Sequence, residues 1–396
     1  MIKLVQAVFF VVCFLGVSCG STKEPDLCRG CAEKYPYYND SHLSTSVQKI
    51  ETLPYSQLQV SKLGDLKKVF VFPVTNRRYT AVGFAHDFLS ALEKEGWVVL
   101  DSDTQIRSAD PLVDIERATG IKDPDIVGFY MTDYSDKSCY FYHTWKLLPS
   151  AKFLKVAVLE DFNRKIQTDN AAYFSQYADI LLVRYPEAFK EVIRDCKLPV
   201  FHFPHSAGPA YFLQNTEFRT KKPKILLSGT ISKEWYPLRS KALELFNLKN
   251  DFITLRKHPG YMPGIDPVEE ANSYASSIAK HQLALTGAGM GTVLPAPYIL
   301  GKHFEIPATG TVMVTDRLVA PMMERLGFIE GIHYLASTPN TLETDISNWL
   351  QPENLENLEK IGLAGHQLVK ERHTLAKRVK EFEKVVYHAW KKQQVL

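Results

Sequence analysis

The most specific chemistry in the sequence lies between Gly301 and Arg317, in the C-terminal half. A carboxylate, Glu305, precedes a turn of small residues at Gly310, and an apolar strand that ends in a charge follows the turn. A carboxylate can accept hydrogen bonds from both hydroxyls of a ribose, and a glycine turn lets backbone N–H groups reach a neighbouring phosphate. This order of residues predicts a nucleotide site with Glu305 at the ribose.

A glycine-rich turn runs from Thr286 to Gly291, directly after a predicted strand. Gly287 and Gly289 would let backbone N–H groups approach a phosphate, and the N-terminus of a following helix would favour its charge. A flexible loop without a ligand explains the spacing equally well. Both interpretations of this turn therefore remain open.

Three side chains are candidates for a general base, which must lie near the ligand cleft with a suitable pKa to deprotonate an acceptor hydroxyl. Asp161 ends a predicted strand, His205 lies near the domain junction, and His86 follows a glycine in a loop. A helix cap for Asp161 and a hinge histidine for His205 are equally good structural explanations.

Two acidic pairs imitate the D-x-D sequence with which some transferases hold a divalent ion against a diphosphate. They are Asp101-Ser102-Asp103 and Asp123-Pro124-Asp125. The second instance indicates that the spacing arises by chance, and both pairs lie far upstream of the ribose and phosphate residues. We interpret them as loop residues and predict no metal site.

These residues are predicted to be positioned by two parallel α/β sheets, because short apolar runs without alternation are typical of strands covered on both faces. The predicted strands of the first half are 69–72, 97–100, 126–130, 156–159, 180–183 and 200–203, and those of the second half are 225–227, 252–255, 283–286 and 311–315. Two such sheets place the carboxyl ends of their strands along one shared cleft, where ligands bind.

The length of 396 residues predicts two domains. An irregular segment over 21–64 precedes an N-terminal Rossmann-like domain over 65–205. A linker over 206–223 leads to a C-terminal ligand-binding domain over 224–374. The last segment, 375–396, has apolar residues at helical spacing and could pack back across the first domain as an amphipathic helix.

The first 20 residues have the layout of a secretory signal peptide. Lys3 is followed by an apolar run from Leu4 to Val17 and then by small residues. The run is shorter than the roughly 20 residues that usually span a bilayer, which favours cleavage over a permanent anchor. Lipidation of Cys19 is a minor alternative. We therefore expect the secretory pathway, either the ER or Golgi lumen or the exterior, and the cytosol if the signal is not used.

The remaining composition argues for a folded protein without a nucleic-acid partner. The 47 basic and 44 acidic residues are intermingled and do not form a basic stripe. After signal cleavage four cysteines remain, at Cys28, Cys31, Cys139 and Cys196, an even number that suits an oxidising compartment. A local disulfide explains the first two better than zinc, and Asn39 begins a possible glycosylation sequon.

The stretch from Phe304 to Arg317 resembles the FEx(P/L)AxGTxxxTDR block of the CgeB-like, spore-maturation-type members of the glycosyltransferase group 1 superfamily. Further blocks agree with that family in order and spacing. They are Leu159–Phe162, Tyr177–Leu181, Phe203–Ala207, Leu227–Thr230, Tyr236–Arg239 and Ala364–Thr374. The resemblance covers about residues 150 to 385, and the region before it matches only in its fold pattern.

The resemblance implies a GT-B fold, in which two Rossmann-like domains face each other across a cleft. It implies a glycosyltransferase that moves a sugar from a nucleoside diphosphate sugar to a hydroxyl of a glycan, glycoprotein or glycolipid acceptor. The C-terminal domain would bind the donor, and the N-terminal domain would bind most of the acceptor. The nucleotide sugar is a co-substrate, and neither a cofactor nor a metal is required.

The resemblance also assigns donor-binding roles, since positive charge beside the leaving phosphate stabilises the transition state. Glu305 would hold the ribose, and the diphosphate would be bound by Arg256, Lys257, His258, Gly310 and Thr311, with Gly229 in the opening turn of the domain.

The chain departs from the wider superfamily at Pro297, where many members carry a second glutamate. The contact of that glutamate with the donor sugar must come from elsewhere, which leaves the sugar and the stereochemical outcome open. A degenerate transferase and a two-lobed solute-binding protein therefore remain alternatives, because fold alone does not separate them.

Overall fold

The computed structural model describes residues 63–72, 83–102, 105–131, 144–148, 153–160, 165–193, 196–213, 217–248, 251–257, 266–290 and 297–395. The predicted signal segment, the sequon and the cysteines before Cys196 lie outside the described residues, and so do Asp161 and His258. Among the described helices, none is both long enough and apolar enough to span a membrane.

The N-terminal domain is built on a six-stranded sheet in which every neighbouring pair is parallel. Its strands are β1 (Lys68–Phe72), β2 (Val98–Asp101), β3 (Ile126–Met131), β4 (Leu154–Leu159), β5 (Ile180–Val183) and β6 (Val200–His202), in the order β2-β1-β3-β4-β5-β6. The connecting helices are α1 (Gly83–Lys94), α2 (Pro111–Thr119), α3 (Lys165–Tyr177) and α4 (Pro186–Val192).

Both faces of this sheet are covered, which explains why its strands are continuously apolar. Every residue of β1, β4 and β5 is buried. Alternate residues point to opposite faces: Val69 and Val71 join a cluster around Phe174, whereas Phe70 and Phe72 join a second cluster around Phe382.

The C-terminal domain has a five-stranded parallel sheet in the order β13-β12-β9-β7-β8 and a separate two-stranded antiparallel ribbon, β10-β11. The strands are β7 (Lys222–Ser228), β8 (Ile253–Arg256), β9 (His281–Leu285), β10 (Gly289–Met290), β11 (Pro297–Tyr298), β12 (Val312–Asp316) and β13 (Leu335–Ser337). The helices are α5 (Pro237–Asn247), α6 (Pro267–Ala279), α7 (Lys302–Ala308), α8 (Ala320–Arg325), α9 (Leu342–Trp349) and α10 (Leu355–Arg372).

The final helix, α11 (Leu375–Val395), packs against the N-terminal domain, as the sequence predicts. The ring of Phe382 lies 5.5 Å from that of Phe88 at an angle of 87°. Beside it, Lys68 pairs with Glu383 at 3.1 Å. An aromatic edge-to-face contact of this kind adds to the area that the ring buries, so α11 is part of the N-terminal core.

The chain crosses between the domains at two neighbouring segments, around Ala207 and around Thr374. The backbone N–H of Ala207 donates to the carbonyl of His373, and that of Leu375 donates to the carbonyl of Ala207, both at 3.0 Å. Because each N–H finds a carbonyl on the other segment, the two crossings are held together beside the cleft.

Candidate functional site

The carboxyl ends of the strands of both sheets lie at the cleft between the domains, and side chains from the two domains meet there. A β-carbon placed on Gly301 would lie 3.3 Å from Oε1 of Glu305 and 3.9 Å from Nδ1 of His205. His205 follows β6 of the N-terminal domain, whereas Glu305 belongs to α7 of the C-terminal domain. The cleft therefore combines groups from both halves of the chain, as two facing parallel sheets require.

Glu305 lies in the first turn of α7 and is half-buried. The hydroxyl of Tyr211 donates a hydrogen bond to its carboxylate. Burial raises the pKa of Glu305, and the charge of Lys302 opposes that rise. A partly exposed carboxylate held in one orientation can accept hydrogen bonds from a vicinal diol, which suits a ribose.

Two cations converge beside this carboxylate at the turn that follows β7. A β-carbon placed on Gly229 would lie 2.7 Å from Nζ of Lys302 and 3.1 Å from Nη1 of Arg239. Lys302 donates to Oγ of Ser228 at 3.1 Å. Burial, and then the charge of Arg239, lower the pKa of Lys302. Two like charges this close repel each other in a poorly hydrated place, and a bound anion would relieve the repulsion.

Arg239 is fixed by the backbone and keeps one donor unused. It lies in the first turn of α5 and is only 2% exposed. Its Nε donates to the carbonyl of Thr286, and its Nη1 donates to that of Thr230 at 3.1 Å. Nη2 and the hydroxyl of Thr286 are buried and have no hydrogen-bond partner among the described residues. A buried donor left unsatisfied costs free energy, so a bound water or an anion at this turn would stabilise the Arg239 guanidinium.

Arg256 and Lys257, the cations assigned from the resemblance, lie at the end of β8. The guanidinium of Arg256 is already engaged by α6, because Nη2 contacts Oε1 of Glu270 at 2.6 Å and Nη1 donates to the carbonyl of Ser273 at 2.8 Å. Lys257 is exposed. Arg239 and Lys302 act on the carboxylate of Glu305. Arg256 lies over the same Tyr274 ring as Lys302, and its charge also lowers the pKa of Lys302.

Gly310 and Thr311 are not brought to the cleft. They lie between the C-terminal end of α7 and the amino end of β12, whereas the cleft is at the carboxyl ends of the strands. Thr311 is fully buried, and its hydroxyl accepts a hydrogen bond from Lys221 at 3.0 Å. Gly310 has a φ of 69° and ends the helix. This placement corrects their assignment as diphosphate donors, since they support the opposite edge of the sheet.

The other predicted glycines have two different roles. Gly229 and Gly287 have φ values of 91° and 72° and form the turns after β7 and β9, next to Arg239. Gly289 instead packs against an aromatic ring, because a β-carbon there would lie 2.2 Å from the ring of Tyr298. The first two glycines shape the site, and Gly289 allows the ribbon of β10 and β11 to close.

A buried polar network lies on the N-terminal side of the cleft, at the carboxyl ends of β3, β4 and β5. Tyr130 and Glu160 are hydrogen-bonded, and Arg184 donates to Tyr130 at 3.1 Å. Nε2 of His205 lies 3.0 Å from the hydroxyl of Tyr185 and 3.4 Å from Oε1 of Glu160. Burial and the charge of Arg184 lower the pKa of His205 well below its ordinary value. A neutral, fixed His205 therefore faces the cleft.

The remaining predicted residues lie apart from this cluster or outside the described chain. His86 is half-buried on α1. Asp101 ends β2, and Asp125 accepts a hydrogen bond from the backbone of Lys67 at 2.8 Å, as a loop residue does. Cys196 is a free, half-buried thiol. Within the described parts of the chain, no three His, Cys, Asp or Glu side chains are arranged to hold a metal ion.

Comparison with known protein families and structures agrees with the fold. Residues 265–384 match a family model described as glycosyl transferase-like. A search of curated proteins found no match.

Several solved structures share the fold over nearly their whole length. Sucrose-phosphate synthase from Thermosynechococcus elongatus is 12% identical, with a TM-score of 0.54 over 82% of this chain and 100% of its own. Anabaena HepE, in complex with UDP and glucose, is 10% identical, with a TM-score of 0.54 over 81% and 100%. An alpha-glucosyltransferase in complex with UDP-glucose and DNA containing an abasic site is 10% identical, with a TM-score of 0.53 over 81% and 99%. The predicted GT-B fold is confirmed, and with the family match it supports a glycosyltransferase.

Proposed function

We propose that this chain transfers a sugar from a nucleoside diphosphate sugar to a hydroxyl acceptor and that its C-terminal domain holds the donor. One observation carries the proposal: a half-buried carboxylate, Glu305, and two cations, Arg239 and Lys302, converge at the glycine turn after β7. Glu305 can accept hydrogen bonds from a ribose, and the adjacent cations Arg239 and Lys302 can bind a diphosphate.

Each side chain has a distinct task. Glu305 accepts hydrogen bonds from the ribose hydroxyls. Arg239 uses its unpaired Nη2, and Lys302 its ammonium group, to bind the diphosphate. When the bond between the sugar and the phosphate breaks, negative charge develops on the leaving diphosphate, and cations already in place stabilise that charge without rearranging.

Uridine is the base that we would test first. HepE was solved with UDP and glucose, and the alpha-glucosyltransferase with UDP-glucose. Both share the GT-B fold with this chain, and a UDP-sugar is the donor class that their bound ligands suggest. The identity of the sugar is left open, because Pro297 stands where many members of the superfamily carry a glutamate that contacts the sugar.

Three finer parts of the function are also proposals. The sequence blocks support a CgeB-like subtype. The N-terminal layout supports the secretory pathway, and a glycan, glycoprotein or glycolipid acceptor suits that location. Among the similar structures, the alpha-glucosyltransferase was solved with DNA. In this chain the basic and acidic residues are intermingled, which does not favour binding of a nucleic acid.

A binding and hydrolysis screen tests the proposal on the full chain. UDP-, GDP-, ADP- and dTDP-sugars are each added in a thermal-shift assay, and release of the nucleoside diphosphate is followed. Ligand at 100 times its Kd stabilises the native state by about 2.7 kcal/mol. We expect one nucleotide family to raise the Tm in the wild type, with loss of that rise in Glu305→Gln.

Glu353→Gln is the matched control, because this substitution removes the same charge from an exposed position of the same domain. Its Tm shift should equal that of the wild type. Failure of every nucleotide sugar to bind would contradict the proposal. Binding without release of a diphosphate would support the donor site and show that water does not replace the acceptor.

A further inference from the structure

The last helix, α11, presents a line of lysines to solvent. Its opposite side, marked by Val379, Phe382 and Val386, is buried against the N-terminal core. With 3.6 residues per turn, the lysines fall within an arc of roughly 60° and extend over roughly 21 Å. They are Lys377, Lys380, Lys384 and Lys391, with His388 between the last two. We call this row the lysine stripe; its members are exposed, except for the half-buried Lys384.

The acidic residues of α11 do not neutralise the lysine stripe. Glu381 pairs with the buried Arg378, whereas Glu383 pairs with Lys68 at 3.1 Å and accepts a hydrogen bond from Trp97. Among the described residues, the lysines of the stripe form no ion pair. Acidic and basic residues are intermingled in the sequence of this segment, and the helix separates them because steps of three and four residues share a face.

The lysine stripe is unfavourable for the helix in isolation. Like charges three or four residues apart repel each other. The lysines do not contribute to the packing of α11, since its core contacts are made by the opposite side. Within the described chain no carboxylate offsets the repulsion, so a negatively charged surface outside the molecule would do so.

Two aromatic side chains flank the C-terminal part of the stripe. The rings of Tyr387 and Trp390 stack with their centroids 6.1 Å apart, and Nζ of Lys391 lies 4.8 Å from the centroid of the Tyr387 ring. Both rings are half-buried. Tyrosine and tryptophan are enriched where a membrane meets water, because one edge of the ring is polar, and a lysine stem carries its charge to the same level.

We propose that α11 docks the protein on an anionic phospholipid surface, with the helix axis parallel to the surface and the lysine stripe against the headgroups. The negative potential of such a surface attracts each lysine that approaches it. The stripe contains no arginine, the residue with which proteins preferentially recognise nucleic acids. A layer of lipid phosphates requires only point charges, which lysines supply.

The position of the stripe gives the docked protein an orientation. Lys377 follows closely on the crossing at Thr374, which lies beside the cleft. A helix that lies on the membrane therefore holds the cleft near the lipid. An acceptor carried by a lipid suits this arrangement, and that last step rests on the proposed transferase function, whereas the docking does not.

Co-sedimentation with vesicles tests the docking on the full chain. Phosphatidylcholine vesicles are compared with vesicles in which about one third of the lipid is phosphatidylglycerol. The apolar run from Leu4 to Val17 would bind both kinds of vesicle, so the ratio of the two affinities reports the stripe. We expect the wild type to bind the anionic vesicles at least about 100-fold more tightly. This preference should decrease as added salt screens the charges.

A combined variant removes the charge of the stripe and keeps a good helix former at each position. It carries Lys377→Gln, Lys380→Gln, Lys384→Gln and Lys391→Gln. Its preference for anionic vesicles should fall below about 5-fold, because each lysine near the surface adds to the affinity. Its free energy of unfolding in urea should be unchanged or higher, since the repulsion is removed. Arginine at the same positions should retain the preference.

A control variant has the same change in net charge at exposed positions elsewhere. It carries Lys122→Gln, Lys146→Gln, Lys197→Gln and Lys280→Gln. This variant should keep the preference of the wild type for anionic vesicles.

Three results would overturn the proposal: equal affinity of the wild type for both kinds of vesicle, an unchanged preference in the glutamine variant of the stripe, or an equal loss in the control variant. Binding of dextran sulfate without a preference for anionic vesicles would also overturn it and would identify a soluble polyanion as the partner. Failure of every nucleotide sugar to bind would concern the proposed transferase function and would leave the result on docking unchanged.

Discussion

Single residues at the donor site show a division between binding and stability. Glu305 is predicted from the sequence, because its surrounding block is distinctive. Arg239 and Lys302 lie in the block Tyr236–Arg239 and in the stretch that begins at Gly301, but neither is part of a phosphate-binding pattern. Their convergence at the turn of Gly229 joins segments far apart in the chain and could not be predicted.

Lys302→Met should weaken UDP binding without weakening the fold. A hydrogen bond to a charged group contributes about 1.5 to 3 kcal/mol, so the Kd for UDP should rise roughly 10- to 100-fold. The free energy of unfolding in urea should stay constant or increase, because the repulsion with Arg239 is removed. Lys370→Met, at an exposed position of α10, is the control. An unchanged Kd would show that Lys302 does not contact the diphosphate.

Arg239→Met should reduce both the affinity for UDP and the stability of the fold. Two carbonyls, of Thr286 and Thr230, lose their donor, and an unsatisfied buried polar group costs about 1 to 3 kcal/mol. Urea unfolding measures that loss, and titration with UDP measures the loss of binding. Retained stability in this variant would mean that the two carbonyls find other donors.

At the scale of elements, ten strands could be predicted, whereas the short strands β10, β11 and β13 and the short helix α7 could not. Continuous apolar runs identify strands covered on both faces, and each predicted run overlaps a strand of the structure. The sequence predicts a turn of small residues at Gly310 and no helix before it, and Pro307 gives no helix signal, because proline is unfavourable within a helix. The helix forms nevertheless, and its length separates Glu305 at the cleft from Gly310 at the opposite edge.

Helix α11 offers the clearest prediction about stability at this scale. Phe382 is fully buried among the aromatic rings of the N-terminal core. Phe382→Ala should lower the free energy of unfolding by about 3 to 5 kcal/mol, through lost burial and the cavity that remains. Val395→Ala, at the 87% exposed end of the same helix, should change it by less than about 0.5 kcal/mol. Equal effects would show that α11 does not belong to this core.

At the scale of the whole molecule, the pH dependence of stability should report the buried histidines near the crossing. Burial lowers the pKa of His303 and of His373 to about 3, and the pKa of His205 is also lowered. A histidine whose pKa falls on folding is neutral in the native state and takes up a proton on unfolding. Its stabilising effect is therefore complete above the ordinary pKa of about 6.5 and is lost as the pH falls from there towards 3.

Each such histidine contributes a slope of up to about 1.4 kcal/mol per pH unit in that window. The free energy of unfolding is measured in urea at several pH values from roughly 7.5 to 4.5, within the window in which the histidines take up protons on unfolding. It should decrease as the pH falls. His303→Gln should flatten the dependence, and His388→Gln, an exposed position on α11, should not. An equal dependence in the wild type and in His303→Gln would contradict the neutral state of this ring. The comparison is needed because carboxyl groups with a raised pKa, such as Glu305, give the wild type a slope of the opposite sign.

The arrangement of two domains around one cleft makes a crystal structure with UDP the most direct test of the donor site. We expect the ribose hydroxyls against Glu305 and the diphosphate against Nη2 of Arg239 and Nζ of Lys302, at the turn of Gly229. UDP bound elsewhere, or a diphosphate held by Arg256 and Lys257 instead, would contradict the site proposed for this chain.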